Sequence, residues 1–219
     1  MKLSYAITTH NEYEEINELL GVLVHHIDPK KDEIVILDDY SDEKTQEVFK
    51  SWTSQYGDHI NFKIEQRALN KNFAEQKNYL TRMCSGDYII NIDADEIPHD
   101  VFLNQIRQVI EINEVDLIWV PRVNTVEGFT NEDVQRWGWR INEKGWVNYP
   151  DYLSRIFRNT EKIRWERPLH EIITGCKTYS HLPPQEELSL YHPKTKEKQE
   201  QQNKFYMDNF SRDLLSRKV

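Results

Sequence analysis

Three acidic side chains stand at the end of a strongly apolar segment of this 219-residue chain. The segment "YIINIDADEIP", at residues 88–98, brings Asp93, Asp95 and Glu96 together directly after three isoleucines. Carboxylates this close repel one another, and they are costly to desolvate unless a cation or hydrogen-bond donors compensate. Two aspartates spaced i, i+2 at a strand end can bind Mg²⁺ or Mn²⁺, which usually also holds phosphate oxygens of a substrate. The segment therefore indicates a cation site that serves a phosphorylated substrate.

Two better-known arrangements of such residues fit the segment poorly. An EF-hand calcium loop needs further ligands and a glycine at a fixed position, whereas Ile97 and Pro98 follow here. The sequence contains no glycine-rich phosphate loop, which argues against a P-loop or a dinucleotide-binding fold. The pattern favours a site for a nucleoside diphosphate and a metal ion that is built without a P-loop.

Polar residues also follow two other apolar segments that are predicted to be strands. One segment, residues 3–8, leads into the polar stretch 8–12, and "EIVILDD" ends at Asp38 and Asp39. In open parallel α/β sheets, ligands bind beyond the carboxyl ends of the strands. We therefore expect all three polar clusters to meet at one edge of a sheet. Helix capping is an equally good explanation of Asp39 and Ser41 taken by themselves.

Strand-like and helix-like segments alternate along the first half of the chain at about 20–25 residues per unit, as in α/β proteins with a mostly parallel sheet. The apolar run at 33–39 suits a parallel strand that is buried on both faces. Ser41 is the expected N-cap of the helix that follows it. The predicted strands cover residues 3–8, 33–39, 61–66, 87–92 and 116–123, and the predicted helices cover 14–27, 41–56, 73–84 and 100–113.

The second half of the chain has a different character. Residues 124–151 show weak periodicity and contain three tryptophans, Trp137, Trp139 and Trp146. These rings are expected either to form an acceptor lid or to form a satellite core beneath a long loop. Two short antiparallel strands are predicted at residues 152–159 and 162–166. From residue 194 the chain is polar, and it is predicted to end in a helix.

Composition excludes several classes of protein. The chain carries 28 basic and 37 acidic residues, and its net charge of −9 makes nucleic acid an improbable partner, since such binding is largely electrostatic. Cys84 and Cys176 are too few for a disulfide scaffold, and buried reduced thiols are expected. Neither a signal peptide nor an apolar run of about 18 residues is found. We expect a cytoplasmic protein, with docking on the inner face of a membrane left open.

Four segments in this order resemble the family-2 glycosyltransferases of the GT-A fold: "AITTHNE", "VILDDYSDEKT", "NKNFAEQKN" and "GDYIINIDADE". Gln76 and Asn78, together with residues 93–96, are similar to the branch that includes lipopolysaccharide-core glucosyltransferases and peptide S-glycosyltransferases. The resemblance is strong over 3–123 and looser over 150–192. It implies one mostly parallel central sheet flanked by helices, with a small antiparallel part in the second half. It also implies that residues 1–123 bind the nucleotide sugar and that residues 124–192 bind the acceptor and supply the catalytic base. Residues 193–219 would form a helical tail.

The resemblance implies a set of donor-binding residues that would hold the base, ribose and diphosphate of a nucleotide sugar. Asn72 stands where many relatives have glycine, and asparagine tolerates the left-handed backbone region better than most residues. Arg155 has two interpretations, a diphosphate ligand or a surface salt bridge. The implied donor-binding residues are Thr8, Thr9, Asn11, Glu12, Asp39, Asn72, Lys77, Asp93, Ala94 and Arg155.

The resemblance also implies a metal site and a catalytic base. Asp93, Asp95 and His192 would bind Mn²⁺ or Mg²⁺, although a lone histidine is often structural. Glu171, in a position that a helix often follows in relatives, would deprotonate the acceptor, and His170 would orient this base or bind the acceptor. Without the resemblance, the same pair is more simply a helix-start carboxylate beside a core histidine.

The expected function is inverting, metal-dependent transfer of a hexose or pentose from a nucleoside-diphosphate sugar to an acceptor. Uridine diphosphate is the favoured carrier, and the acceptor is a hydroxyl (or thiol), for example of a cell-surface glycan. A nucleotidyltransferase is an alternative, but it normally has a basic glycine-rich loop where "TTHNEYEE" is acidic. The sequence is also compatible with a catalytically inactive nucleotide-sugar-binding module, or with a transferase that acts on peptide or modified nucleic acid.

Overall fold

A nine-stranded sheet runs through the computed structural model, which describes residues 1–216. Its strands are β1 (Leu3–Thr9), β2 (Glu33–Asp38), β3 (Asn61–Gln66), β4 (Tyr88–Asp93), β5 (Ile97–Pro98), β6 (Leu117–Glu127), β7 (Val147–Arg158), β10 (Tyr179–His181) and β11 (Leu190–Thr195). A separate antiparallel pair consists of β8 (Arg164–Glu166) and β9 (Ile172–Thr174).

The sheet order is β3-β2-β1-β4-β7-β6-β11-β5, and β10 also pairs with β6. The first four strands in this order, β3, β2, β1 and β4, are parallel to one another. The long strand β7 is antiparallel to both β4 and β6, whereas β11 is parallel to β6. The α/β fold with a mostly parallel central sheet and a small antiparallel part is thus confirmed.

Seven helices surround the sheet in the described part of the chain: α1 (Tyr13–Leu23), α2 (Glu43–Tyr56), α3 (Phe73–Met83), α4 (Asp100–Asn113), α5 (Asn131–Trp137), α6 (Lys196–Asn209) and α7 (Arg212–Ser216). A short 3₁₀ turn covers Glu186–Leu188. No helix among residues 1–216 is both long enough and apolar enough to cross a membrane.

The central parallel strands β1, β2 and β4 are mostly buried because helices cover both faces of the sheet there. Every residue of β2 is buried, as expected for a central parallel strand. Ile34 and Ile36 pack in one core with residues of α1, α2 and α4, whereas Val35 and Leu37 pack in a second core with α3 and Trp165. The alternation follows from the two-residue period of a strand.

Several predicted boundaries are confirmed, and others are wrong for identifiable local reasons. The N-cap of α2 is Asp42 rather than Ser41, since the Asp42 carboxylate accepts a hydrogen bond from the Thr45 amide at 3.0 Å. The Ser41 hydroxyl instead accepts one from the Asn11 amide at 2.8 Å. Helix α1 ends at Leu23 rather than at residue 27.

The second half departs most from expectation. The antiparallel strand predicted at 152–159 is part of β7, which is twelve residues long and begins earlier, at Val147, inside the stretch of weak periodicity. The strand predicted at 162–166 is confined to Arg164–Glu166. The predicted C-terminal helix is two helices, α6 and α7, and residues 217–219 of the predicted tail lie outside the described residues.

Candidate active site

A cleft of about 460 Å³ lies at the carboxyl ends of the parallel strands. The registers bring these ends side by side, with Thr8 of β1 opposite Asp93 of β4 and Thr9 opposite Asp38 of β2. On the other side, His192 of β11 lies opposite Asn124 of β6. The sheet thus places polar side chains from distant parts of the chain around one cavity.

Eleven of the predicted site residues line this cleft: Thr8, Thr9, Glu12, Asp39, Lys77, Asp93, Ala94, Asp95, His170, Glu171 and His192. Three others, Asn11, Asn72 and Arg155, are not among its lining residues.

Asn11 and Asn72 have local structural contacts. The Asn11 side-chain oxygen accepts a hydrogen bond from the Asp42 amide at 2.7 Å, which ties the loop after β1 to the start of α2. Asn72 is the N-cap of α3 and has an extended backbone with φ of −142°. The left-handed residues of this turn are Asn70 and Lys71 instead, so the expected left-handed conformation of Asn72 is wrong.

Arg155 lies beneath the cleft rather than on the surface, with 3% of its area exposed. Its Nη2 atom donates to Asp93 Oδ2 at 2.7 Å and to Glu96 Oε1 at 2.5 Å. The surface salt bridge considered for this residue is therefore wrong. Burial lowers the pKa of an arginine, but the charges of Asp93 and Glu96 outweigh it here and raise the pKa.

A chain of alternating charges explains how the acidic cluster is tolerated. Arg122 bridges Asp151 at 2.7 Å and Glu96 at 3.0 Å, and Arg155 bridges Glu96 and Asp93. Lys77 continues the chain, 3.4 Å from Asp93 Oδ1 and 2.6 Å from Glu171 Oε1. Each buried carboxylate of this chain of charges thus has a cationic partner, which offsets the repulsion between neighbouring carboxylates.

The two aspartates of the acidic segment have different partners. Asp93 Oδ2 is bonded to Arg155, and Oδ1 accepts from the Thr8 hydroxyl at 3.1 Å. Burial raises the pKa of Asp93, but the charges of Arg155 and Lys77 outweigh it and lower the pKa. Asp95 faces His192 instead, with Oδ2 3.1 Å from Nε2. Asp93 thus has two close protein cations, whereas among the described residues Asp95 has only the more distant Lys194, at 3.7 Å, and faces His192.

The hydrogen bonds around His192 define its tautomer. The Asn124 amide nitrogen donates to Asp151 at 2.9 Å, so its oxygen faces His192 Nδ1 at 2.7 Å, and Nδ1 must carry a proton. Burial and the charge of Arg122 lower the pKa of His192, which favours neutral imidazole. Its Nε2 lone pair then faces the Asp95 carboxylate, and the Lys194 ammonium, 3.7 Å from Asp95 Oδ2, is the protein cation beside these two acceptors.

These residues fit a divalent cation. One carboxylate oxygen and one neutral imidazole nitrogen are ligands that suit Mn²⁺, and Asn124 supplies the outer hydrogen bond that orients such a histidine. Among residues 1–216, no group of three or more His, Cys, Asp or Glu side chains is arranged to hold a metal ion. The protein alone would therefore supply few ligands, and a phosphorylated substrate would complete the coordination.

Glu171 lies in the same cleft with 17% of its side chain exposed. Burial raises its pKa, but the charge of Lys77 and its hydrogen bond outweigh burial and lower the pKa. The following residues form strand β9, so the alternative of a carboxylate at a helix start is wrong, and the helix expected after it is absent from this position. The preceding His170 has a left-handed backbone with φ of 52°.

The pKa of Glu171 is lowered, whereas that of Glu12 is raised. Burial and the charge of Asp95 raise its pKa to about 7, although it accepts hydrogen bonds from the His10 amide and the Thr9 hydroxyl. This carboxyl takes up a proton near neutral pH and can then donate a hydrogen bond to a ligand.

The structure adds residues that sequence reasoning missed. Strand β6 lines the cleft with Arg122, Asn124, Thr125 and Val126. The predicted strand ended at residue 123, so only Arg122 lay within it. Asp151 was missed because it lies in a stretch that was predicted to be irregular. From the C-terminal region come Lys194, Gln199, Gln202 and Tyr206.

The tryptophans of the second half have separate environments. Trp139 lines the cleft and has its ring 4.5 Å from that of Trp137. Trp146 is 9% exposed and packs edge-on against Tyr149 at 4.8 Å. An acceptor-side location thus suits Trp139, and a satellite-core location suits Trp146.

Comparisons with known proteins give a family and a fold. Residues 4–182 match the family model described as Glycosyl transferase family 2. An uncharacterized glycosyltransferase, the MG060 homolog of Mycoplasma pneumoniae, is 26% identical over 121 residues. That match covers 54% of this chain and 40% of the relative, so the chain spans well under half of that protein.

Solved structures with a similar fold include the 1–349 fragment of S. aureus TarS. The two chains are 15% identical with a TM-score of 0.60, and the match covers 88% of this chain and 60% of the TarS fragment. The same fragment in complex with UDP-GlcNAc has a TM-score of 0.61 and 16% identity, over 88% and 58%. At this level of sequence identity the similarity shows a shared fold only. The TarS fragment is longer than this chain, which covers about 60% of it.

Proposed function

The chain belongs to glycosyl transferase family 2, and from this premise we propose that it is an inverting, metal-dependent enzyme that transfers a sugar from a nucleoside-diphosphate sugar to an acceptor hydroxyl. The observation that carries the proposal is that one cleft holds both a carboxylate and an imidazole that can bind a cation, Asp95 and His192, and a separate carboxylate, Glu171, whose pKa is lowered. A sugar transfer of this kind needs these two functions in one cavity.

The donor would bind at the edge formed by β1, β2 and β4. Thr8, Thr9 and Asp39 line this part of the cleft, and Glu12, protonated near neutral pH, can donate to a ribose or base oxygen. A divalent cation held by Asp95 and His192 would offset the negative charge of the departing diphosphate. Asp93, neutralised by Arg155 and Lys77, would position neighbouring groups rather than bind the ion alone.

Glu171 would act as the base. The acceptor hydroxyl gives its proton to the Glu171 carboxylate while its oxygen forms a bond to the anomeric carbon. The bond from that carbon to the diphosphate oxygen breaks, and the diphosphate leaves with the electron pair. Attack from the face opposite the leaving group inverts the configuration of the carbon.

Uridine diphosphate is the preferred carrier in this proposal, because TarS, which has a similar fold, has been solved with UDP-GlcNAc and with UDP. The branch with lipopolysaccharide-core glucosyltransferases and peptide S-glycosyltransferases, the hexosyl or pentosyl nature of the donor and the cytoplasmic location stay predictions. A glycan hydroxyl is the preferred acceptor over peptide or nucleic acid. The nucleotidyltransferase alternative is set aside because the chain belongs to a glycosyltransferase family.

Release of UDP from UDP-glucose and UDP-N-acetylglucosamine, with Mn²⁺ and water as acceptor, tests the proposal. Glu171→Gln should lower the rate by at least about 100-fold, as expected for loss of a general base. Binding of UDP to this variant should be unchanged. A Glu171→Gln variant with full turnover would contradict the assignment of the base, and UDP binding without turnover by the unmodified chain would favour the inactive binding module.

A further inference from the structure

Helix α6 lines the active-site cleft although it lies outside the residues that match the family model. That match ends at residue 182, whereas α6 covers Lys196–Asn209. Gln199, Gln202 and Tyr206 line the cleft, and their i, i+3, i+7 spacing places them on one face of the helix. The family-matched part of the chain therefore does not form the whole cavity.

Contacts at both ends hold α6 in this position. At its start, Lys196 pairs with Asp133 at 2.8 Å, and Lys198 pairs with Glu15. At its end, Tyr206 packs edge-on against the Phe73 ring at 6.3 Å. Because Phe73 is the first residue of α3, which also carries Lys77, the end of α6 lies beside the region that positions Glu171.

The Tyr206 hydroxyl is available to a ligand. It accepts a hydrogen bond from Gln202 Nε2 at 3.0 Å, and among residues 1–216 no acceptor for its own proton is found. A tyrosine hydroxyl that accepts one hydrogen bond can still donate one. Burial and the charges of Glu171, Asp93 and Asp95 raise its pKa, so this group stays protonated and acts as a donor near the predicted base.

Gln202 fixes two neighbours at once. Its Oε1 atom accepts from Lys194 Nζ at 3.0 Å, while its nitrogen donates to Tyr206. Lys194 in turn lies 3.7 Å from Asp95 Oδ2. Lys194 thus links this helix face to Asp95 and His192.

The charges of the cleft argue against an anionic acceptor. Among the described residues the cleft is lined by six carboxylates and by three Lys or Arg side chains, which are Lys77, Arg122 and Lys194. Each of these cations already pairs with a carboxylate, namely Glu171, Asp151 and Asp95. A phosphate or carboxylate on the acceptor would meet surplus negative charge and no uncommitted Lys or Arg.

We propose that α6 forms the acceptor-binding wall of the cleft, and that it receives a neutral saccharide through hydrogen bonds from Gln199, Gln202 and Tyr206. Amide and phenol groups can both donate to and accept from sugar hydroxyls. Trp139, which also lines the cleft, offers an apolar ring face to the same ligand. This inference rests on the proposed transferase function and specifies its acceptor class.

The test measures UDP release from UDP-glucose and from UDP-N-acetylglucosamine with Mn²⁺ in the presence of two acceptor panels. The neutral panel contains methyl glucosides, methyl galactosides, N-acetylglucosamine and lactose, and the anionic panel contains glucuronic acid, glucose 6-phosphate and glycerol phosphate. The variants are Tyr206→Phe, which removes only a hydroxyl, and Gln202→Ala. The matched control is Gln201→Ala, since Gln201 is the adjacent, exposed glutamine of the same helix.

Stimulation by at least one neutral saccharide is expected, with little effect of the anionic compounds. Tyr206→Phe and Gln202→Ala should raise the acceptor KM by about fivefold or more, as expected for lost hydrogen bonds, and should leave UDP affinity within about twofold. Gln201→Ala should match the unmodified chain.

Stimulation by the anionic panel alone, or by no neutral saccharide while UDP still binds, would overturn the inference and leave the proposed function standing. An unchanged acceptor KM in both variants would likewise overturn it. Failure of UDP and Mn²⁺ to bind would instead contradict the proposed function itself.

Discussion

Single residues of the cleft differ in which partner neutralises them. Asp93 pairs with Arg155 and Lys77, Glu171 with Lys77, and Asp95 with His192. Two aspartates only two positions apart thus have different chemistry. Asp93 belongs to a buried ionic network, and Asp95 faces a neutral histidine, with Lys194 at 3.7 Å as its protein cation. The predictions at this scale concern the buried cations.

Arg155 should be essential for stability. Arg155→Met would leave Glu96, whose side chain is fully buried, without one of its cation partners. Removing one member of a buried ion pair typically costs about 3–5 kcal/mol, and we expect a loss of this order in the free energy of unfolding from urea denaturation. Arg164→Met is the control, because Arg164 and its partner Glu166 are 66% and 44% exposed and such pairs contribute little. Equal effects of the two substitutions would contradict the network described here.

Lys77 should set the pH dependence of the base. Its charge lowers the pKa of Glu171, which has Asp93, Tyr206 and the adjacent His170 as its other charged or titratable neighbours. In Lys77→Gln the Glu171 pKa should rise, so the acid limb of the rate should move to higher pH, since the base acts only when ionised. The pH profile of UDP release measures this shift. The control is Lys44→Gln, a substitution on the surface of α2, which should leave the pH profile unchanged. If the acid limb does not move in Lys77→Gln, Lys77 does not influence the base.

The elements of the first half could be predicted from periodicity because packing there follows it. Strand β3 and helix α4 have the predicted bounds. The errors occur where a single contact decides at which residue an element begins, as when Asp42 rather than Ser41 caps α2. The second half of strand β7 was predicted, at 152–159, and its first half was missed. Only part of the strand is buried, so its alternation is weak, and its position is set by pairing with β4 and β6.

The amino ends of the strands carry a buried carboxylate of their own, Glu33, at the start of β2. Burial raises its pKa, but hydrogen bonds from Ser4, Ser85 and Lys63 outweigh burial and lower the pKa from 4.5 to about 2. Because these partners lie on or beside β1, β3 and β4, Glu33 joins four strands at the edge opposite the cleft.

Stability should therefore fall on acidification. The pKa of Glu33 is lower in the folded than in the unfolded chain, so its contribution is complete above pH 4.5 and is lost as the pH falls to about 2. Glu33→Gln should be less stable at pH 7 and should show a smaller loss across this window, as measured by urea unfolding at several pH values. Glu47→Gln, on the exposed side of α2, should keep the dependence of the unmodified chain. Identical curves for Glu33→Gln and the unmodified chain would contradict this role.

At the scale of the whole molecule, the sheet edge explains why so much of the site could be predicted. Polar residues after β1, β2 and β4 must meet if the strands are parallel, and this holds for Thr8, Asp39 and Asp93. The contributions of β6, β7 and α6 could not be predicted, because they depend on antiparallel pairing and on where the C-terminal helix packs. No local pattern in residues 196–209 specifies that packing.

The central claim is a nucleoside-diphosphate site that depends on a cation bound by Asp95, and thermal unfolding with UDP, GDP, ADP, dTDP and CMP tests it most directly. A ligand that binds only the folded chain stabilises it by about 2.7 kcal/mol at a hundredfold excess over Kd. We predict a rise in Tm with one diphosphate only when Mn²⁺ is present. Asp95→Asn should abolish the rise, and Asp58→Asn, an exposed control, should keep it. If no nucleotide raises Tm with Mn²⁺ over a range of concentrations, or if Asp95→Asn responds like the unmodified chain, the claim is wrong.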